Sequence, residues 1–247
     1  MRHLGGLSRF IVLAIVANIL ISSSPIKPVK AFKVGEELTY AVKYMGVRAG
    51  EGVLRVKGLE KYQKKPVYVI EAQGYQNPSF TLYKINAFLK TYLDSKYLFS
   101  RRYEENIKSS KETKNIEVVF DQTKHTTTRN GKTRSIPKRA LDPLAALYSI
   151  RSQGVKIGRA SKIHVTNGKK TYEVILAVLG QEKIKTPAGT FEAYRIRPFI
   201  KKMSDNSRKD IEINVWMSVD KGHIPLRIAY ELPVGEVEIV LEKAKGI

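Results

Sequence analysis

The chain contains no cysteine. Disulfides, thiolate zinc sites, iron–sulfur clusters, cysteine nucleophiles and lipoprotein-type acylation are therefore all excluded. Acids are scarce as well: 23 Asp and Glu stand against 44 Lys and Arg, a formal charge of +21 and an isoelectric point near 10.0. There is a single tryptophan and only four histidines. Beyond the N-terminus no run approaches the roughly 20 apolar residues of a membrane-spanning helix. What is present is ordinary for a globular chain of 247 residues, 43% apolar and 27% charged.

The first thirty-one residues read as an export signal that is cleaved. Arg2 and Arg9 form a positive start, Phe10–Ile21 an apolar stretch, and Ser22-Ser23-Ser24-Pro25 a break. Val29-Lys30-Ala31 fits a small-residue processing site, with the mature chain beginning at Phe32. The alternative, a retained anchor, suffers from length: twelve residues span about 18 Å as a helix, against a hydrocarbon core of about 30 Å. Removal of residues 1–31 takes Arg2, Arg9, Lys27 and Lys30 and no acid, lowering the charge from +21 to +17. An exported protein meets little nucleic acid, so the obvious partner of a basic chain is set aside.

Residues 32–247 form one domain in which period-two alternation dominates. Leu38, Tyr40, Val42 and Tyr44 fall on one strand face, as do Tyr172, Val174, Leu176 and Val178. Ile211 to Val219 and Leu226 to Leu232 repeat the pattern, which marks antiparallel strands with one buried face. Asn130-Gly131 and Asn167-Gly168 are hairpin signals of the type I′ kind. Pro187-Ala188-Gly189 and Pro233-Val234-Gly235 supply two more turns. The segment Phe80–Leu93 fits helix or strand, with a strand from about Ala87 to Asp94 preferred. One helix is expected: Asp142 as N-cap, Pro143 at the first helical position, Leu144, Leu147, Tyr148 and Arg151 on one stripe, and Gly154 as the stop. The expected fold is all-β and mainly antiparallel. About ten strands curl into a barrel or half-barrel, with the helix docked on it. Such curled sheets often enclose a ligand cavity.

The chemistry of catalysis is hard to find. No Gly-x-Ser-x-Gly elbow occurs, and His125, His164 and His223 lack the spacing of a metal site. Gly131-Lys132-Thr133 imitates the end of a phosphate-binding loop, but Thr126 stands where the first glycine belongs. The sequence reads as a non-enzyme without cofactor or metal.

Charge supplies the candidate sites. Residues 101–170 hold 17 Lys and Arg against 6 Asp and Glu. Lys124, Arg129, Lys132, Arg134, Lys138 and Arg139 are packed into one hairpin region. Read functionally, they bind an anionic surface, such as lipid phosphate or lipopolysaccharide; read structurally, they are a solvated hairpin that resists edge-to-edge aggregation. Arg195 and Arg197 alternate with Phe191, Ala193 and Phe199, and could hold an acidic head group, or simply face solvent over a core of Tyr194, Ile196 and Ile200. Trp216 lies on the polar side of its strand and either lines a cleft or is covered, by the helix or a loop.

Several segments together resemble domain-of-unknown-function family 3108, exported bacterial envelope proteins. They are Val34-Gly35-Glu36-Glu37-Leu38-Thr39-Tyr40, Tyr44-Met45-Gly46-Val47-Arg48-Ala49-Gly50, Tyr92-Leu93-Asp94, Phe120-Asp121 and Leu141-Asp142-Pro143-Leu144 with Arg151. Val178-Leu179-Gly180, Thr186-Pro187-Ala188-Gly189-Thr190-Phe191 and Val215-Trp216-Met217-Ser218 follow, with Asp220 and Pro225-Leu226-Arg227. The resemblance implies an exported, mostly β protein and assigns no activity. The late Trp…Asp…Pro-Leu-Arg run is also similar to periplasmic lipoprotein carriers and related half-barrels. The expectation is thus a periplasmic protein, in contact with a membrane only peripherally, that binds or carries a lipid-like or anionic envelope component. A structural or protein-interaction role in envelope assembly, and a hydrolase acting on envelope glycans, are the alternatives.

Overall fold

The computed structural model describes residues 31–79, 85–109, 112–207, 212–232 and 235–247. Among these residues, fourteen strands surround one helix. They are β1 (Glu37–Tyr44), β2 (Val47–Tyr62), β3 (Lys65–Gln76), β4 (Ile85–Asp94), β5 (Ser100–Ser109), β6 (Thr113–Asp121), β7 (Thr126–Arg129) and β8 (Lys132–Ser135). The helix α1 (Pro143–Gln153) precedes β9 (Ser161–Thr166), β10 (Thr171–Thr186), β11 (Gly189–Lys202), β12 (Ile213–Ser218), β13 (Pro225–Leu232) and β14 (Gly235–Lys245). All strands join one antiparallel sheet in the order β8-β7-β6-β5-β4-β3-β2-β1-β14-β13-β12-β11-β10-β9. The sheet does not close: β8 and β9 are its two edges, so the architecture is a curled half-barrel.

The alternating segments form strands for the expected reason. Leu38 and Tyr40 are buried on β1, Val174 and Leu176 on β10, and Leu226 on β13. Among the described residues fourteen strands form where about ten were expected; β2 and β5, each interrupted by a bulge, carry weaker alternation. Register shifts at Val56/Gly58, Tyr92/Leu93 and Val178/Gly180 each add a residue to one strand. Such bulges bend a strand and increase its twist, which helps a sheet this wide to curl.

Two hairpin turns differ instructively. Asn130 and Gly131 both have positive φ, +49° and +73°, as a type I′ turn requires. In the second pair only Gly168 does, at +74°, and the loop runs over residues 167–170. There the Asn167 side chain accepts from the backbone N–H groups of Lys169 and Lys170, so the turn is held by an Asn carboxamide and not by two left-handed residues. The Pro187-Ala188 turn joins β10 to β11 as expected, whereas Pro233-Val234 and residues 80–84 lie outside the described residues. The preferred strand reading after Phe80 is met by β4.

The helix begins and ends where the sequence places it. Asp142 caps it by accepting from Leu144 N at 3.0 Å and Ala145 N at 2.8 Å, and Gly154 ends it with φ +70°. A cap of this kind is worth about 1 kcal/mol. Its environment is not the expected one-sided docking. Leu144, Ala145, Ala146, Tyr148, Ser149, Arg151 and Ser152 are all buried, so the helix is enclosed on nearly every side. It touches both β4 and β9, far apart in the sheet order, which only a curled sheet permits. Val56, Tyr68, Ile70, Leu93, Tyr103, Val118, Ile163, Leu176, Ile196 and Met217 pack with it into one core. The helix thus occupies the hollow of the curl where a ligand cavity had been expected. Phe32 adds edge-on ring contacts to Tyr68 and Tyr148, at centroid distances of 5.1 and 4.9 Å.

Polar ties fix the helix in place. The second carboxylate oxygen of Asp142 accepts from Thr91 Oγ1 of β4 at 2.7 Å and Ser100 Oγ of β5 at 2.6 Å. At the other end, Arg151 donates to both oxygens of Glu36, to the carbonyl of Gly222 and to that of Ala31. Residues 1–30, which carry most of the expected export signal, lie outside the described residues. No helix among the described residues is long and apolar enough to cross a membrane.

Candidate functional site

The basic hairpin of the sequence is the β7–β8 hairpin, at one edge of the half-barrel. The opposite edge comes back to meet it. Leu141 makes a parallel bridge to Val165 of β9, with Leu141 N donating to His164 O and Thr166 N to Leu141 O. Arg129 Nη1 donates to Asn167 O at 3.0 Å and Arg134 Nη1 to Gly168 O at 3.3 Å. Gly168 is needed at this approach: a Cβ there would sit 2.9 Å from Val118 Cγ1 and 3.0 Å from Arg129 Cβ. The two edges of the open sheet are therefore closed by side chains and one bridging residue, forming a seam in place of a strand ladder.

The seam gathers unmatched cations at one place. Lys124, Lys132, Arg134, Lys138 and Arg139 are exposed and Arg129 half-buried, and none has a carboxylate within 4.0 Å among the described residues. Several arginines elsewhere are matched: Arg48 with Glu242, Arg55 with Glu37, Arg101 with Asp94, Arg102 with Glu117 and Arg227 with Glu238. The turn facing the hairpin brings two more unmatched cations, Lys169 and Lys170. Reading the sequence missed them as site members, because they lie some forty residues from the hairpin and only closure of the seam brings them near. The one available signal was their position directly after the Asn-Gly pair.

Between hairpin and turn lies a pocket of about 420 Å³. Arg134, Lys169 and Lys170 line it with Thr127, Thr171 and Ser204, and no acid among the described residues does. Thr127 is 1% exposed, yet its hydroxyl has no hydrogen-bond partner among the described residues. A smaller pocket of about 270 Å³, near Tyr75, Phe88 and Lys108, lies across β3, β4, β5 and β6.

The other predicted cluster is built differently. Arg195 donates to Asn214 Oδ1 at 3.3 Å, and Arg197 is paired with Glu212. Trp216 is 8% exposed, donates its indole N–H to Glu182, and lies against the guanidinium groups of Arg195 and Arg227 at 5.6 and 4.9 Å. Its cover is these side chains, not the helix; it belongs to a second apolar cluster with Leu38, Tyr40, Leu226 and Leu241. Ile196, Tyr194 and Ile200 pack on the helix side, so the Arg-bearing face is the outer one. Trp216 and the basic hairpin are not brought together.

Buried carboxyl groups are committed to the fold. Asp142 is fully buried, and loss of hydration pushes its carboxyl above the usual carboxylate range despite the backbone and hydroxyl donors around it. Glu36 is taken by Arg151, and Asp94 by Arg101 and the backbone N–H groups of Lys96 and Tyr97. Burial lowers the imidazoles of His164 and His223 below the ordinary value. No group of three or more metal-ligating side chains forms among the described residues.

These features define a class: an all-β, open and curled antiparallel half-barrel plugged by a helix, with a cationic seam. The chain belongs to the family described as protein of unknown function (DUF3108), whose model matches residues 39–242. Its fold is shared with a beta-barrel-like protein of domain of unknown function DUF1849 from Brucella abortus. That match has 11% identity and a TM-score of 0.61, and covers 87% of this chain and 99% of the other. A "putative lipoprotein" from Parabacteroides distasonis matches at 18% identity and a TM-score of 0.41, covering 88% of this chain and 99% of that one. A "putative exported protein with YmcC-like fold" from Bacteroides fragilis matches at 12% identity and a TM-score of 0.38, with 89% and 99% covered. No curated protein matches the chain.

Proposed function

We propose that this is an exported, non-catalytic binding protein of the cell envelope whose basic seam engages an anionic envelope component, such as lipid phosphate or lipopolysaccharide. The observation that carries the reading is the cluster of seam cations without carboxylate partners among the described residues, gathered at the place where the two sheet edges meet. Unpaired cations on an exposed edge create a positive potential that attracts anionic surfaces. The export-signal-like start supports the compartment. The commitment of Glu36, Asp94 and Asp142 to structural partners supports binding over glycan hydrolysis, which needs a pair of free carboxyl groups facing a sugar. Because α1 fills the curl, the ligand is read at the surface and not in the interior.

The test is sedimentation with vesicles of phosphatidylglycerol, of phosphatidylcholine, and of lipopolysaccharide mixed with phosphatidylcholine. Binding to the anionic vesicles only is expected. It should be lost in about 1 M salt, where the screening length falls to about 3 Å. It should also weaken when Lys124, Lys132, Lys138 and Arg139 are together replaced by Gln. Equal binding to neutral and anionic vesicles, or none to either, would overturn the reading.

A further inference from the structure

We infer that the pocket in the seam is a site for a phosphate monoester group, held by Arg134, Lys169 and Lys170 and by the Thr127 hydroxyl. The inference rests on the anionic-ligand reading above and narrows it to one place and one chemistry. Three cations line a concavity that no acid among the described residues lines. Asp205, on the adjoining segment, is already engaged by Lys202 and by the Ser207 backbone N–H and hydroxyl. Arg134 spends only one N–H on the Gly168 carbonyl, at a long 3.3 Å, and keeps the rest of its planar fork for a tetrahedral oxyanion.

Thr127 is the independent observation. A buried hydroxyl without a partner costs stability, and such groups are usually satisfied by something. Here it is buried at the wall of a cationic pocket, with Arg134 directly across the β7–β8 ladder. Thr171 and Ser204 add further hydroxyl-bearing walls. A volume of about 420 Å³ lies in the range of small-molecule pockets, about 300–1,000 Å³, and suits a phosphorylated head group better than acyl chains. The monoester could belong to a soluble sugar phosphate or to a lipid head group; the doubly charged phosphate is common to both.

The experiment is calorimetric titration of the full chain with glucose 1-phosphate, alongside sedimentation with phosphatidic acid vesicles. Arg134→Gln and the pair Lys169→Gln with Lys170→Gln should each lower affinity about tenfold or more, the scale of one charge-assisted hydrogen bond. Thr127→Val keeps the shape and removes the hydroxyl. It should weaken phosphate binding severalfold while leaving the melting temperature unchanged or higher, an outcome a purely structural hydroxyl would not give. Saturable glucose 1-phosphate binding lost in these variants supports the site with a soluble ester. Loss of phosphatidic acid binding alone supports it with a lipid head group. Vesicle binding that survives all pocket variants but fails in the Lys124, Lys132, Lys138 and Arg139 variant overturns the pocket and leaves the broader reading standing. No binding of either probe overturns both.

Discussion

Arg151 of the helix and Glu36, 115 residues earlier in the chain, form a two-point ion pair in which both side chains are withdrawn from water, 0% and 2% exposed. The guanidinium also receives the face of Tyr148 at 4.9 Å and reaches the carbonyls of Gly222 and Ala31. One side chain thus ties the helix to the segment before β1 and to the β12–β13 turn.

Removing one member of this pair leaves the other charge buried and unmatched. Glu36→Gln and Arg151→Met should each cost about 3–5 kcal/mol. The double variant should cost clearly less than the sum, because either single change already forfeits the pairing. Urea unfolding of the four proteins checks this, and additive losses would argue against the coupling.

Asp142 should give stability an unusual pH dependence. Burial raises its carboxyl in the folded protein, whereas in the unfolded chain it titrates near the ordinary value, about 3.9. Between those two values the folded state binds a proton that the unfolded state does not. The group's contribution is therefore fullest below the unfolded value and declines as pH rises through the folded one. Asp142→Asn keeps an N-cap acceptor and removes the titration. Measured from neutral pH downward, the stability of the wild type relative to this variant should improve. Asp121 has the opposite sign, since the Lys124 and Thr123 backbone N–H groups lower its carboxyl; replacing it by Asn should shift the comparison the other way.

The two Asn-Gly turns should respond unequally to alanine. Gly131 has positive φ but open space, so Gly131→Ala should cost about 1 kcal/mol of backbone strain. Gly168 has the same strain and also abuts Val118 and Arg129, so Gly168→Ala should cost about 2–3 kcal/mol. Thermal unfolding distinguishes them. Faster amide exchange in β8 and β9 of the Gly168 variant would place the extra loss at the seam.

The single tryptophan provides a further check. Trp216 is enclosed by Arg195, Arg227 and Glu182, away from the seam, so its emission should resist acrylamide. It should not change when anionic ligand saturates the protein. Arg227→Ala should open it to the quencher, and a ligand-induced shift in the wild type would instead place the ligand at Arg195 and Arg197.

What could be read from the chain was local. Alternation marks strand faces within a few residues, and Asp142, Pro143 and Gly154 mark helix ends through backbone chemistry that needs no distant partner. The basic hairpin was legible for the same reason, since its cations are neighbours in sequence. Arg195 and Arg197 were legible as sharing one strand face, and Trp216 as lying on the polar face of another strand, but not as side chains already engaged, because their partners Asn214, Glu212, Glu182 and Arg227 lie at other positions of the chain.

The sequence by itself determined an antiparallel β protein with one capped helix, no thiol chemistry and a surplus of positive charge in residues 101–170. Tertiary structure alone decided three matters. It set the helix inside the curl, because seven of its residues could be buried only by contact with both halves of the sheet. It made Arg151, the last member of the helical stripe, a buried staple, because Glu36 folds against it. It brought Lys169 and Lys170 opposite Arg134 by closing the sheet at a seam of side chains. Each depends on which distant segments share a volume, and alternation along a strand carries no information about that.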